Sequence, residues 1–202
     1  MLSPLKNLIE VSWRAVLARK DRRSGCSVSR PPVEPLSVER LESRFAEEFA
    51  VLEYLEAALD LASNCELSDL ASALYPALDQ LRWSQNPGYT EANVSRSFLD
   101  GYAYAGLSGP DCPLLCEVPR CGYVLLAPGV TYQDHNHQPR EVYLVLTPGA
   151  QWCLDSGEWF DVHAGDLILH QPWQMHAMRA GDQPLLAFAA WLESGDRKAI
   201  QI

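Results

Sequence analysis

The stretch Gly129-Val130-Thr131-Tyr132-Gln133-Asp134-His135-Asn136-His137-Gln138-Pro139-Arg140-Glu141-Val142-Tyr143 decides the reading of this chain. Side chains alternate across an extended strand with a period of two, so His135 and His137 point to the same side and can reach one ion. Glu141 and Tyr143 share that parity, and with the register unbroken at Pro139 four polar side chains converge on one interior face. A buried polar group without a partner costs about 1–3 kcal/mol, and a metal ion is the economical remedy for a whole group of them.

C-terminal to this stretch, short β-prone runs alternate with Gly and Pro. They cover Glu141–Leu146, Gln151–Leu154, Trp159–Val162, Asp166–His170 and Leu185–Trp191, with Tyr123–Leu126 before it. Closely spaced short strands with turn signals between them mean a β-sandwich or barrel. Toward the N-terminus the texture changes to helix. Ser3-Pro4 reads as N-cap and first helical residue, followed by Leu5, Leu8, Ile9, Trp13, Val16 and Leu17 at helical spacing. After a polar, Pro-rich loop from Asp21 to Pro35, Ser37 is expected to cap a second helix, stapled by Leu36 and Leu41. Its stripe runs Leu41, Phe45, Phe49, Leu52, Leu55 and Leu59. A third helix is predicted from Ser68 to Leu81, kinked by Pro76. The stretch from Arg82 to Arg120 carries the aromatics Tyr89, Phe98, Tyr102 and Tyr104 and has no assigned structure at this level. The expectation is a helical N-terminal extension over residues 1–100 packing on a β-barrel over residues 101–202.

A length of 202 residues with 48% hydrophobic side chains suffices for a packed core, and a formal charge of −10 disfavours nucleic acid as a partner. A small molecule is the expected ligand. No apolar run approaches the eighteen residues that would span a bilayer, and the first twenty residues are broken by Lys6, Glu10, Arg14, Arg19 and Lys20. A cytoplasmic protein is expected. The six cysteines follow no disulfide framework, and the spacing of Cys112, Cys116 and Cys121 fits no common zinc pattern, so free thiols are expected.

The pattern resembles the cupin superfamily, whose first motif is Gly, five residues, His-x-His, three or four residues, then Glu. Gly129, His135, His137 and Glu141 keep that spacing, while the closing Gly falls one residue late at Gly149. For the second motif, Gly165 and His176 keep the total spacing, with Pro172 displaced by one and Ala180 where an Asn is usual. The resemblance implies a mainly β protein, a cupin (double-stranded β-helix) barrel preceded by about three α-helices. It also implies one divalent metal ion on His135, His137, Glu141 and His176. Three imidazoles and a carboxylate suit Zn(II), Fe(II), Mn(II), Ni(II) or Co(II). His163 and His170 have no such constellation and are read as structural.

A narrower resemblance rests on His135-Asn136-His137 and Glu141-Val142-Tyr143, preceded by Tyr132 and led in by helices. These look like the cupin-type dimethylsulfoniopropionate lyases of marine bacteria. The resemblance implies β-elimination of a zwitterionic sulfonium acid to dimethyl sulfide and acrylate, with the metal on the carboxylate and Tyr143 as base. Tyr132 is the rival for that role, or a ligand of the carboxylate. The sulfonium calls for an aromatic enclosure, for which Tyr132, Trp173, Tyr102, Tyr104 and Trp191 are the candidates. The same fold also serves dioxygenases and isomerases, and a non-enzymatic cupin that senses metal or ligand through its helical half is a third reading. A sensor would expose one helix face to a partner, whereas a lyase would bury its stripes on its own barrel or on a twin subunit in a homodimer.

Overall fold

In the computed structural model, residues 3–31, 37–38, 49–110, 112–116 and 119–195 are described. Helix α1 spans Pro4–Leu17, with the Ser3 hydroxyl accepting the Lys6 N–H at 3.4 Å. Leu5, Leu8, Ile9, Trp13 and Val16 are buried, but Leu17, the last residue of the helix, is 47% exposed. The second expected helix differs. Ser37 and Val38 form a short strand, β1, paired with Leu115 and Leu114, so Ser37 caps no helix. The staple of Leu36 and Leu41, and Phe45 of the stripe, lie outside the described residues. A 3-10 turn over Ala50–Tyr54 leads into α2 (Leu55–Ser63). Helix α3 (Ser68–Leu74) tightens into 3-10 geometry over Tyr75–Gln80, where Pro76 supplies no N–H to continue the α ladder.

Beyond it come β2 (Arg82–Ser84), α4 (Arg96–Gly101), β3 (Tyr102–Gly109) and β4 (Leu114–Leu115). The barrel continues with β5 (Arg120–Leu126), β6 (Thr131–His135), β7 (Glu141–Val145) and β8 (Ala150–Leu154). It closes with β9 (Phe160–Val162), β10 (Leu167–His170), β11 (His176–Arg179) and β12 (Leu185–Trp191). The larger sheet runs β1-β4-β3-β5-β12-β7-β10, with β2 on β3, and the smaller runs β6-β11-β8-β9. The chain is mainly β with N-terminal helices, and its two sheets form the expected cupin barrel. Strand β11, which no β-prone run announced, lies inside the smaller sheet between β6 and β8.

Strands β7 and β12 are buried at every position and β5 at all but its first, as strands covered on both faces must be. On the outer face Tyr123 pairs with Phe188 across β5 and β12. There Trp13 of α1 meets Phe188 edge-on at 6.0 Å, and the Ser12 hydroxyl lies 2.6 Å from that of Tyr123. The helical stripe is therefore buried on the barrel. The loop after α1 is pinned by Asp21, 5% exposed, whose carboxylate accepts the Ser24 N–H at 2.7 Å and the Leu169 N–H of β10 at 2.8 Å. The inner face of the sheet is left for chemistry.

Candidate metal centre

Cross-strand register sets the site. Arg120 of β5 pairs with Trp191 of β12, Trp191 with Glu141 of β7, and Glu141 with His170 of β10. Directly paired residues share a face, so these four side chains form one row across four adjacent strands. The next row on that face carries Gly122, Ala189 and Tyr143. Its small members leave a hollow, and a Cβ at Gly122 would lie 2.7 Å from the Tyr104 ring. The small cavity so formed is lined by Tyr102, Tyr104, Tyr132 and Tyr143 together with His135, His137 and Glu141. Arg120 and Trp191 complete its wall.

The donor atoms of His137, Glu141 and His176 lie within 4.8 Å of one another, all three buried. Among the described residues this is the group able to hold a metal ion. His135, paired with His176 across β6 and β11, adjoins it with ring centroids 4.1 Å apart. The register does not run on through Pro139. His135 ends β6 in the smaller sheet, and Glu141 opens β7 in the larger one. The groups converge because the two sheets face each other, not because one strand carries them all.

Three hydrogen bonds test the fit to a metal. Nδ1 of His135 lies 2.9 Å from the Gln133 carbonyl oxygen, Nδ1 of His137 2.9 Å from that of Pro139, and Nδ1 of His176 2.8 Å from that of Gln174. A carbonyl only accepts, so each Nδ1 carries the proton and each Nε2 is the atom left to ligate. Nε2 of His176 is buried without a hydrogen-bond partner, 3.4 Å from a Glu141 oxygen. The donor set fits a divalent transition metal.

The charges agree. Burial, then the neighbouring His176, pushes His135 well below the usual imidazole range, and burial, then His170, takes His176 down to about 4. Both imidazoles are neutral at physiological pH, the form able to ligate a metal. Burial opposes charge on His137 and Glu141 too, but their mutual attraction outweighs it, raising His137 and holding Glu141 well below the carboxylate range. In the protein alone His137 Nε2 and Glu141 Oε2 pair at 2.9 Å.

Glu141 is oriented by two residues whose roles the sequence did not announce. The Trp191 indole N–H donates to Oε1 at 3.0 Å, and His170 Nδ1 lies 3.4 Å from Oε2. Nε2 of His170 accepts the Trp152 indole N–H at 3.1 Å, which leaves Nδ1 as donor toward Glu141. His170 is thus not merely structural: it belongs to the site as a buried support of the carboxylate.

Of the predicted enclosure, Tyr102, Tyr104, Tyr132 and Trp191 reach the cavity and Trp173 does not. Trp173 is 49% exposed in the turn before β11 at φ 61°, and its N–H donates to the His137 carbonyl at 2.8 Å. Tyr132 stacks on His135 with centroids 4.0 Å apart and hydrogen-bonds to the Tyr89 hydroxyl. Tyr89 and Phe98 extend this aromatic group behind the cavity wall. Tyr143 is buried on β7, its ring edge-on to Trp152 at 5.2 Å. Burial raises the hydroxyl pKa of Tyr132 and of Tyr143 well above the ordinary phenol value, helped at Tyr143 by the Glu141 charge. The cysteines Cys112, Cys116 and Cys121 cluster outside the cavity lining, none of them in a disulfide. There Cys121 Sγ is 2.9 Å from the Ser108 hydroxyl, and the Cys116 thiol donates to the Pro119 carbonyl.

With this geometry the chain was compared with known proteins. A model of the dimethylsulfoniopropionate lyase family matches residues 35–187. A Cereibacter sphaeroides protein provisionally named dimethylsulfoniopropionate lyase DddL is 33% identical over 149 residues, 73% of this chain and 61% of that protein. The dimethylsulfoniopropionate lyase DddQ of Ruegeria pomeroyi is 25% identical over 103 residues, 51% of each chain. The matched part of this chain therefore spans roughly half to three fifths of those relatives' length. Among solved structures, a chain from the crystal structures of the DMSP lyases RdDddP and RnDddQII superposes with a TM-score of 0.73 at 24% identity, covering 98% of this chain and 97% of that one. The Ruegeria pomeroyi DddQ crystal structure gives 0.69 at 20% identity, covering 98% and 95%. These two likenesses establish a shared fold.

Proposed function

The chain belongs to the dimethylsulfoniopropionate lyase family, and on that premise we propose that it cleaves dimethylsulfoniopropionate by β-elimination to dimethyl sulfide and acrylate, with one divalent metal ion held by His137, Glu141 and His176 and completed by His135. The observation that carries the reading is the set of three histidines whose Nδ1 atoms are committed to backbone carbonyls, so that their Nε2 atoms serve as ligands beside Glu141. A bound divalent ion would supply Lewis acidity to the substrate carboxylate and make the adjacent Cα proton easier to remove. Zn, Fe, Mn, Ni and Co all suit this donor set.

The chain's own residues do the rest. Tyr143, on the inner face two residues after Glu141, is the base. As phenolate it takes the Cα proton, the C–H electrons become the Cα–Cβ double bond, and the Cβ–S bond breaks with its pair leaving on dimethyl sulfide. Burial holds the free Tyr143 hydroxyl protonated, so its use as a base depends on positive charge in the cavity. Tyr132, fixed by its bond to Tyr89, orients the substrate. Tyr102, Tyr104 and Tyr132 line the cavity and would enclose the sulfonium, a poorly hydrated cation of the kind aromatic cages hold. The buried helical stripe supports an enzyme over a sensor. Free cysteines throughout suit a reducing, cytoplasmic setting.

Headspace measurement of dimethyl sulfide from metal-loaded protein tests the reading. The wild type is expected to release it, and Tyr143→Phe to lose on the order of 100-fold or more in rate, the scale of a general base. A wild type inactive with every one of these metals overturns the lyase assignment, and a fully active Tyr143→Phe overturns the role of Tyr143.

A further inference from the structure

We propose that Arg120 docks the substrate carboxylate on the side away from the metal group, so that guanidinium and metal would share it, the site selects small acids, and the carboxylate end of the zwitterion faces the metal group. The identity of that acid rests on the lyase reading above, but the docking argument does not.

Arg120 is a cation in the wall of a cavity otherwise built from aromatic rings, imidazoles, Glu141 and small side chains. It opens β5, and it stands in the same inward row as Trp191 and Glu141. Adjacent strands lie about 4.8 Å apart, so the row sets its backbone about 10 Å from that of Glu141, with Trp191 between. Its guanidinium carbon lies 5.5 Å from the centre of the Trp191 ring. That stacking holds the fork in place while leaving its N–H edge for a ligand. The other end of Trp191 donates to Glu141. One aromatic plate therefore spaces the cation from the metal-binding carboxylate.

The side chain is half-buried, and no carboxylate among the described residues lies within 4.0 Å of it. By contrast Arg19, Arg22, Arg30, Arg96 and Arg140 each pair with a carboxylate at the surface. A guanidinium withdrawn from water is favourable when an anion meets it, and a fork of parallel N–H groups matches a carboxylate in shape. A sulfonium at this end would be repelled. The sulfonium must then lie away from Arg120 and the metal group, toward Tyr102 and Tyr104, which sets the direction in which a zwitterionic acid enters. Nothing in the sequence pointed to Arg120, which ends the unassigned stretch from Arg82 to Arg120 and precedes the β-prone run Tyr123–Leu126.

The test is binding, not turnover. Acrylate and its neutral counterpart acrylamide are titrated calorimetrically into metal-loaded wild type, Arg120→Met and Arg120→Gln. Loss of a charge-assisted, two-point contact predicts acrylate affinity lower by roughly ten- to hundredfold in both variants, with acrylamide binding unchanged. Acrylate affinity within twofold of wild type in either folded variant overturns the proposal, as does an equal loss for acrylamide. A crystal of the wild type soaked with acrylate reads the same point without substitution. Carboxylate oxygens within hydrogen-bond distance of the Arg120 guanidinium support the docking, and a carboxylate turned away from it refutes it. Protein that binds acrylate through Arg120 but releases no dimethyl sulfide refutes the lyase reading alone. Protein that releases dimethyl sulfide, with variants binding acrylate normally, refutes the docking alone.

Discussion

Glu141 receives N–H groups from Trp191 and His170 while facing His137 and His176, so its two oxygens are fixed before any ligand arrives. Groups that orient a ligand residue commonly contribute 10- to 100-fold to metal affinity. His170→Ala is therefore expected to weaken metal binding by roughly that factor, read by competition with a coloured chelator, without removing a ligand atom. Affinity unchanged in that variant would mean that His170 only fills space. The candidate ligands were legible in the sequence because His135, His137 and Glu141 lie within seven residues at the cupin-motif spacing, although they converge from two facing sheets and not along one strand. The residues that orient them were not. His170 and Trp191 meet Glu141 only through the pairing of β10 and β12 with β7, and Trp152 reaches His170 from the other sheet. Trp173 misled for the opposite reason: three residues from His176 in sequence, it sits on a turn that points it outward.

At the scale of elements, two joints hold the inner face in register. The close approach of β3 and β5 depends on Gly122, where a side chain would strike the Ala105 carbonyl and the Tyr104 ring. Gly122→Ala is expected to cost about 1–3 kcal/mol in urea unfolding and to constrict the cavity. No loss of stability would mean that the strands can part there. The second joint is Asp21, which ties the loop after α1 to β10, the strand of His170. Burial raises its carboxyl pKa, but the hydrogen bonds from Ser24 and the Leu169 N–H outweigh that and hold it below the ordinary value. A carboxyl lowered in the folded state stabilises at pH above its unfolded value, about 3.9, and that contribution disappears as pH falls through the folded value. The stability difference between wild type and Asp21→Asn should therefore shrink from about pH 6 to about pH 3, and a constant difference would contradict this. Neither joint was legible. Strand β3 reads Tyr-Ala-Tyr-Ala-Gly-Leu-Ser-Gly, rich in small residues of weak β propensity and buried on nearly every position, so no alternation marks it. Ser37 illustrates the converse: it reads as a cap by residue type, yet its backbone pairs with Leu115.

For the molecule as a whole, the division into helical and β halves follows from periodicity, 3.6 in one and 2 in the other. What periodicity cannot give is which faces meet. The helices cover the outer side of β5 and β12 through Trp13, Ser12, Tyr123 and Phe188, which leaves the inner side of the same strands to form the site. Strands β1 and β2, from the first hundred residues, join the larger sheet, so barrel and helices share one core. All of the proposed chemistry depends on one ion lying between the facing sheets. Equilibrium dialysis against zinc or cobalt, followed by elemental analysis of wild type and His176→Ala, tests this most directly. One equivalent is expected per wild-type chain and less than a tenth of that in the variant, on the scale of losing one ligand from a site of about three or four. Wild-type protein that retains no metal, or a His176→Ala variant that retains a full equivalent, would contradict it.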